Sequence, residues 1–494
     1  MIIEGIIITI YTLALLLIFI YALAQLNLLF NYLSAKKKID YTAKFDFKNP
    51  SEIPLVTIQL PLYNELYVVE RLLDNISKID YPQDKLEIQV LDDSTDESIQ
   101  IINKKINELQ HTGLDIKYIH RTDRTGFKAG ALKAGLETAK GEFIAIFDAD
   151  FLPKSDWLFQ TIPHFKDDNI GVVQTRWGHI NRDYSILTKI QAFALDTHFT
   201  LEQTGRNTKN HFINFNGTAG VWRKTCILDA GNWEGDTLTE DLDLSYRAQL
   251  KSWKFKYLED VVTPAELPII ISAARSQQFR WNKGGAENFQ KMFFKILKNN
   301  GISAKTKMHG FLHLLNSTMF LNILIVAILS IPMLYIKHEN DTLKMYFYAT
   351  SFFVVSSIIF FICYWFMYKR IHGSGLKNFV GFIGMFFSFF AIAMGFSLHN
   401  TIAVIEGHFR KRSDFIRTPK FNINTDKSSW KDNIYLKKRI STNVIFEGLL
   451  TLYFAFGMYS AFIVGNQEGD FGLFPFHLML FLGFGYVFLK SLRN

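Results

Sequence analysis

Two carboxylates one residue apart, Asp148 and Asp150, follow directly on the run Phe-Ile-Ala-Ile-Phe at 143–147. A short apolar, β-favouring run reads as a buried parallel strand. In an open α/β sheet, ligands bind beyond the carboxyl ends of the strands. Two hard oxygen donors on a loop there suit Mg2+ or Mn2+ held jointly with substrate phosphates. An isolated Asp-x-Asp turn is more often simply solvated, so its company decides. Asp92 and Asp93 end another apolar run at 86–91, and Glu240 and Asp241 open a helical pattern at 240–250 behind Thr239. Thr239 suits an N-cap, and the two acids suit the positive end of the helix dipole. A partly desolvated Asp241 is a candidate to take a proton from a hydroxyl. Lys128 and Arg280 are the cations that a metal-bound diphosphate needs opposite it, Arg280 as a planar fork. Trp281 offers a flat apolar face for a sugar ring.

The elements that must position these groups alternate. Strands are expected at 55–60, 86–91, 115–120 and 143–147, with helices at 65–77, 96–109 and 128–139 between them. This βαβαβαβ order argues for a mostly parallel sheet with helices on both faces. No glycine-rich dinucleotide fingerprint or Walker loop follows the first strand. Further on, 171–175 reads as a strand, 185–202 as a helix and 212–220 (FINFNGTAG) as a glycine-containing loop.

The 494 residues are 49% hydrophobic, and the apolar residues gather in long runs at both ends. Runs at 6–30, 311–336, 346–368, 379–404, 444–464 and 471–489 are each long enough to cross a bilayer. The chain therefore reads as a multi-pass membrane protein with one inserted soluble domain. Its net charge of +8 comes from residues clustered beside the apolar runs, which fits membrane topology better than nucleic-acid binding. Two cysteines, Cys226 and Cys363, exclude a disulfide framework. Lys36, Lys37 and Lys38 after the first run put its carboxyl end, and with it the soluble domain, on the cytoplasmic side. Lys369–Lys377 and the basic stretch 410–439 both read as cytoplasmic, which a single crossing by 379–404 forbids. That run is expected to be re-entrant, a short hairpin, or two helices in the interface. Phe289, Met292, Phe293, Ile296 and Leu297 follow helical spacing opposite Lys291, Lys295 and Lys298, as in an amphipathic helix at a membrane surface. The layout is an anchor at 1–38, a catalytic domain at 39–268, a connecting segment at 269–309 and a membrane region at 310–494.

Six motifs in order resemble a known family: PLYNE at 61–65, LDDSTD at 91–96, FKAGALK at 127–133, DAD at 148–150, TED at 239–241 and QxxRW at 277–281. They are similar to the processive, inverting family 2 glycosyltransferases, the group of cellulose, chitin and hyaluronan synthases. IQVLDDSTD, IFDADF, FNGTAGVWR and WKFKYL look like the cellulose-synthase-like glucomannan synthases and their bacterial relatives. The resemblance is dense from residue 54 to 291 and loose in the membrane part. It implies a GT-A-type domain between transmembrane helices, transferring hexose from UDP-glucose or GDP-mannose to a growing β-linked polysaccharide that is β-1,4-linked and exported.

It also implies roles. Tyr63, Glu65, Asp92 and Asp93 would hold the nucleoside, Lys128 would approach the base or diphosphate, and Asp148 and Asp150 would bind the metal and diphosphate. Asn216, Gly217, Thr218, Glu240, Gln277 and Trp281 would line the acceptor end. Asp241 would be the general base and Arg280 would meet the leaving diphosphate. FIRTPK at 415–420 resembles a gating-loop pattern, FxVTxK, with Arg417 replacing valine, and Thr418 and Lys420 would reach the nucleotide. The FNGTAG loop differs from the cysteine-containing equivalent of bacterial cellulose synthases, which favours a mannose-containing or substituted glucan. Only a short tail follows the last apolar run, so no appended cyclic-dinucleotide sensor domain is expected, and regulation of that kind would need a partner chain; accessory export or regulatory subunits are candidate partners. The host membrane reads as a bacterial plasma membrane ahead of a Golgi membrane. Rival readings are a non-processive enzyme adding one sugar to a lipid carrier, and a transporter or receptor with a degenerate transferase domain.

Overall fold

The computed structural model describes residues 2–35, 52–413, 415–423, 433–435, 442–465 and 469–493. The Lys36–Lys38 cluster and most of the basic stretch 410–439 beyond 423 lie outside the described residues.

After the helix α1 (Ile2–Ala35) come β1 (Val56–Leu62), α2 (Val69–Ile76), β2 (Leu86–Asp92), α3 (Ser98–Gln110), β3 (Asp115–His120), α4 (Phe127–Thr138) and β4 (Phe143–Ile146). Then follow β5 (Ile170–His179), α5 (Ile186–Thr197), β6 (Gly220–Arg223), α6 (Glu240–Leu250) and β7 (Lys254–Ala265). The strands form one sheet in the order β3-β2-β1-β4-β6-β5-β7. β1, β2, β3 and β4 are mutually parallel, as the alternating pattern predicts. β6 pairs antiparallel with both β4 and β5, while β5 and β7 are parallel. Val56, Ile58, Leu60, Ile88, Val90 and Ala145 are fully buried in a core with α2 and α3, which is why these strands read as continuous apolar runs.

The predicted helix at 185–202 is more elaborate. Ser185 caps α5 in a capping box with Thr188, and the chain then widens into a π-helical turn at His198–Gln203. α6 has the expected limits, but Thr239 does not cap it with its side chain. Its hydroxyl instead accepts from Asn288 Nδ2 at 3.0 Å. The long helix α7 (Ile271–Lys298) presses here, and a Cβ at Gly284 would lie 2.4 Å from the Thr239 hydroxyl.

α7 joins the site to the membrane region. Its carboxyl half was expected to lie on a membrane surface, yet Met292 and Ile296 are buried in a cluster with Phe212, Tyr246 and Leu314. The following helix α8 (Ala304–Leu314) folds back and closes that cluster, so the stripe seats α7 on the domain. Within its carboxyl half, Phe294 and Leu297 are the large apolar residues that remain exposed among the described residues. His309 and His313 on α8 are buried, His309 stacked on His211 and His313 bonded to Tyr246.

Among the described residues, six helical stretches are long and apolar enough to cross a membrane: Ile2–Ala35, Asn316–Glu339, Asp341–His372, Leu376–Gly395, Thr442–Ile463 and Phe474–Leu492. They contain α9 (Met319–Glu339), α10 (Val354–His372), α11 (Leu376–Gly395), α13 (Thr442–Ile463) and α14 (Phe474–Arg493), with α12 (Ser397–His408) between α11 and α13. The run 379–404 is thus two helices. Phe382 and Phe389 of α11 meet Phe193 of α5, and Ile392 joins Leu187 and Ile190 in a second cluster. α11 thus touches α5 of the sheet domain through these residues, while its Phe382 and Phe386 also pack on Phe361 of α10.

Arg275, two residues before Gln277, forms a buried ion pair with Glu447 of α13. Leaving one member of such a pair alone costs about 3–5 kcal/mol. Glu447→Leu is expected to lower the thermal midpoint of the detergent-purified protein accordingly, and Arg275→Leu in the same chain to recover most of the loss. A single variant as stable as its parent would show that the pair does not clamp α7.

Candidate active site

The carboxyl ends of the central strands open onto one cleft, closed on its far side by α7 and the segment 415–420. From the sheet side it is lined by Tyr63, Glu65, Asp93, Lys128, Asp148 and Asp150. Asn216, Gly217, Glu240 and Asp241 line its other wall, and Gln277, Arg280 and Trp281 reach in from α7. Thr418 and Lys420 descend from above. Two predicted residues do not line it. Asp92 is fully buried and bonds to the Tyr118 hydroxyl at 2.8 Å and to Ser94 N at 3.0 Å, so it shapes the turn rather than facing a ligand. Thr218 is fully buried too, and its hydroxyl accepts from the Asp148 amide at 2.9 Å.

Opposed charges organise the cleft. Lys128 Nζ donates to Asp148 Oδ1 at 2.5 Å and to Gly217 O at 2.9 Å. Lys420 Nζ lies 2.7 Å from Asp150 Oδ2, and Arg417 pairs with Glu65 at 2.6 Å. Arg280 donates to the Thr418 hydroxyl at 2.9 Å, with its guanidinium over the Phe415 ring. The two aspartates of the Asp-x-Asp thus each hold a separate lysine rather than one shared partner. Asp150 Oδ1 is nonetheless buried without a hydrogen-bond partner among the described residues, and the Asp148 side chain is 36% exposed to the cleft. An orphaned carboxylate oxygen beside an open one is a donor set that fits a hard divalent cation. A second acidic trio, Glu234, Asp236 and Asp243, brings its oxygens close together. Lys291 of α7 lies within 2.6–2.8 Å of all three, and Arg247 also pairs with Asp243, so this is a compensated ion-pair network.

Gly217, at φ +80°, sits where a Cβ would come 3.0 Å from Asp241 Oδ2. Glycine is therefore favoured both by the backbone and by the Asp241 carboxylate beside it. Burial, and then the neighbouring Glu240, hold the Asp241 carboxyl well above the usual aspartate range. Burial likewise raises Glu240, and it pushes Glu65 up to about 7 against the opposing pull of Arg417 and Lys420. Burial works against the charge on Lys128, but Asp148 and Glu240 outweigh it and keep the ammonium protonated. The result is a carboxylate poised near neutrality beside a persistent cation.

Several cleft residues were not picked out from the sequence. Arg124 lays its guanidinium 3.3 Å from the Tyr63 ring centre. Trp177, at the end of β5, stands 6.5 Å from Trp281 and makes a second aromatic wall. Glu266 accepts the Phe421 and Asn422 amides at 2.8 and 3.1 Å, and its own amide donates to Asp150, so it ties the 415–423 segment to the Asp-x-Asp. Arg121 forks onto Asp93 at 2.6 and 2.8 Å. Only the polar strand-end context of RTDRTG and QTRWG hinted at Arg121, Arg124 and Trp177.

Residues 54–284 match the family model described as glycosyltransferase like family 2. Probable glucomannan 4-beta-mannosyltransferase 4 of Oryza sativa subsp. japonica is 43% identical over 288 residues, 57% of this chain and 52% of that protein. Glucomannan 4-beta-mannosyltransferase 9 of Arabidopsis thaliana is 40% identical over 264 residues, 52% of this chain and 50% of that protein. The chain spans about half the length of the curated relatives it matches. A mannosyltransferase from Pyrobaculum calidifontis, solved in complex with GDP-Man and Mn2+, superposes with a TM-score of 0.51 at 20% identity, covering 80% of this chain and 100% of that one. That likeness establishes the shared GT-A-like fold.

A base works only when deprotonated, so a rate that depends on Asp241 must rise with pH through its raised pKa. The ascending limb of kcat/KM is expected well above the aspartate value of about 3.9. Glu240→Gln removes the neighbouring negative charge and should move that limb to lower pH. A limb that stays in place in this variant would disconnect Asp241 from the observed titration.

Proposed function

We propose, from the premise that residues 54–284 form a family 2 glycosyltransferase domain, that this protein transfers a hexosyl group from a nucleotide sugar to a growing β-linked polysaccharide. The observation that carries this reading is the adjacency, in one cleft, of a raised carboxylate at Asp241 and the Lys128–Asp148 pair, with Gly217 bonded to Lys128 through its carbonyl and so near Asp241 that a Cβ there would come 3.0 Å from its Oδ2. A base for the acceptor and a seat for the diphosphate thereby lie on either side of one glycine.

Tyr63, Glu65, Asp93 and Arg124 would hold the nucleoside. Asp148 and Asp150 would hold Mg2+ or Mn2+, which when bound supplies positive charge to the donor's diphosphate. Trp281 and Trp177 would stack on the acceptor's sugars, with Gln277 and Asn216 bonding to hydroxyls. Asp241 takes the proton of the acceptor hydroxyl as its oxygen forms a bond to C1 of the donor sugar. The bond from C1 to the diphosphate oxygen breaks on the opposite side. Arg280 and Lys128 meet the charge that builds on the departing nucleoside diphosphate. Attack opposite the leaving group turns an α-linked donor into a β-glycoside.

The relatives are named as glucomannan mannosyltransferases, which supports GDP-mannose or UDP-glucose as donor and a β-1,4 linkage. The six candidate spans support a multi-pass protein. In this reading the catalytic domain faces the cytoplasm, the polymer passes outward, and accessory subunits are partners. The segment 415–420, bonded to Glu65, Arg280 and Asp150, would leave or rearrange when donor enters.

Membranes containing the protein are expected to convert labelled GDP-mannose or UDP-glucose into insoluble polymer when Mg2+ or Mn2+ is supplied, and to lose this with a chelator. Asp241→Asn should lower the rate about 10²–10⁴-fold. Label confined to the lipid extract would replace the polymer reading with single-sugar addition to a lipid.

A further inference from the structure

The π-helical turn at His198–Gln203 has no part in the roles given so far, and such turns concentrate at functional sites. It points two consecutive side chains to different places. Glu202 accepts from Gln25 of α1 at 2.8 Å and from Arg206 and His198 at 3.0 Å. Gln203, fully buried, turns instead to the loop before β6. Its Nε2 donates to the main-chain oxygen of Asn214 at 3.1 Å, to Asn214 Oδ1 at 3.1 Å and to Asn216 Oδ1 at 2.8 Å. Asn214 Nδ2 donates to the same Asn216 oxygen at 2.8 Å.

This network leaves one arrangement. A main-chain carbonyl only accepts, so the end of Gln203 facing Asn214 O must be its NH2. Asn216 must then present its oxygen to Gln203 and Asn214, and its own NH2 away from them. That Nδ2 is buried and has no partner among the described residues, on a residue lining the cleft next to Gly217 and Asp241. An unpaired buried donor costs about 1–3 kcal/mol, which a ligand acceptor atom at that place would recover.

We propose that Gln203 is a positioning residue for sugar recognition: it locks the Asn216 amide so that its N–H is offered to a hydroxyl oxygen of the acceptor sugar beside Asp241. This rests on the sugar-transfer reading. The acceptor is favoured over the donor because Asn216 adjoins the group that takes the acceptor's proton. The donor's diphosphate lies toward Asp148, across Lys128. Glu202, held by α1 from the other side, keeps the π-helical turn in place.

The test uses the full-length protein in detergent. Binding of β-1,4-linked manno-oligosaccharide is followed by tryptophan fluorescence, and binding of GDP and UDP by calorimetry. Kinetics with the donor that the parent protein uses follow. Gln203→Leu is expected to weaken oligosaccharide binding and raise acceptor KM about tenfold, the scale of one hydrogen bond, leaving nucleotide affinity and donor KM unchanged. Asn216→Asp, which replaces the outward donor by an acceptor, should produce the same loss. The double variant should be no worse than either single one. Unchanged acceptor KM in Gln203→Leu, a rise in donor KM instead, or additive losses in the double variant would overturn the inference. A parent protein that binds nucleotide but no oligosaccharide would overturn the acceptor reading itself, and this inference with it. Because nucleotide binding reports on the fold of each variant, a misfolded Gln203→Leu is recognised directly, and Asn216→Asp then decides.

Discussion

Paired charge in a partly closed cleft is the constraint on which the rest of the structure depends. Lys128 with Asp148, Lys420 with Asp150 and Arg417 with Glu65 bring ammonium, guanidinium and carboxylate groups together, all but the Asp148 side chain largely shielded from water. Unpaired, each would carry a desolvation penalty of several kcal/mol, so the pairs must be assembled from elements far apart in sequence. The parallel sheet supplies the carboxylates at strand ends, and the segment 415–420 supplies two of the cations from the membrane side of the chain. A diphosphate with its cation has the charges needed to exchange into this arrangement. The cleft is thus stable as it stands and matched to what it binds.

The helix α7 turns that cleft into part of a membrane protein. Along one rod it carries Arg275, paired with Glu447 of α13, then Gln277, Arg280 and Trp281 in the cleft. Lys283 follows, fully buried, with its ammonium donating to Lys411 O at 2.5 Å and to Ser413 at the root of the 415–420 segment. Lys291 then binds the acidic trio next to α6. The helix α13, the cleft residues Gln277, Arg280 and Trp281, the root of the 415–420 segment and the acidic trio next to α6 are therefore held in mutual register by contacts from one element. A shift of α7 along its axis would disturb all of them together.

Much of this was legible because its causes are local. The limits of β3 and α6 follow from their own apolar spacing and flanking polar residues, and Asp148, Asp150 and Asp241 announce themselves at element ends. What escaped depends on tertiary approach. Thr239 has the residue type of a cap, but the close passage of α7 at Gly284 claims its hydroxyl for Asn288. Met292 and Ile296 have the spacing of a surface stripe, and only the return of α8 reveals what covers them. Asp92 and Asp93 look equivalent in sequence, yet strand alternation sends them to opposite sides, one to Tyr118 and the other to Arg121 and the cleft. Gln203 was invisible, since a π-helical turn leaves no composition signal.

In the proposed reaction, Asp241 deprotonates a sugar hydroxyl that attacks C1 from the side opposite the diphosphate. The most direct test of this step is the anomeric configuration of the first bond formed, read by proton NMR on the initial product from an α-linked, isotopically labelled nucleotide sugar. A β-glycosidic bond at the labelled sugar is expected. An α-glycoside would contradict it, since retention requires a different path than a single displacement assisted by one base.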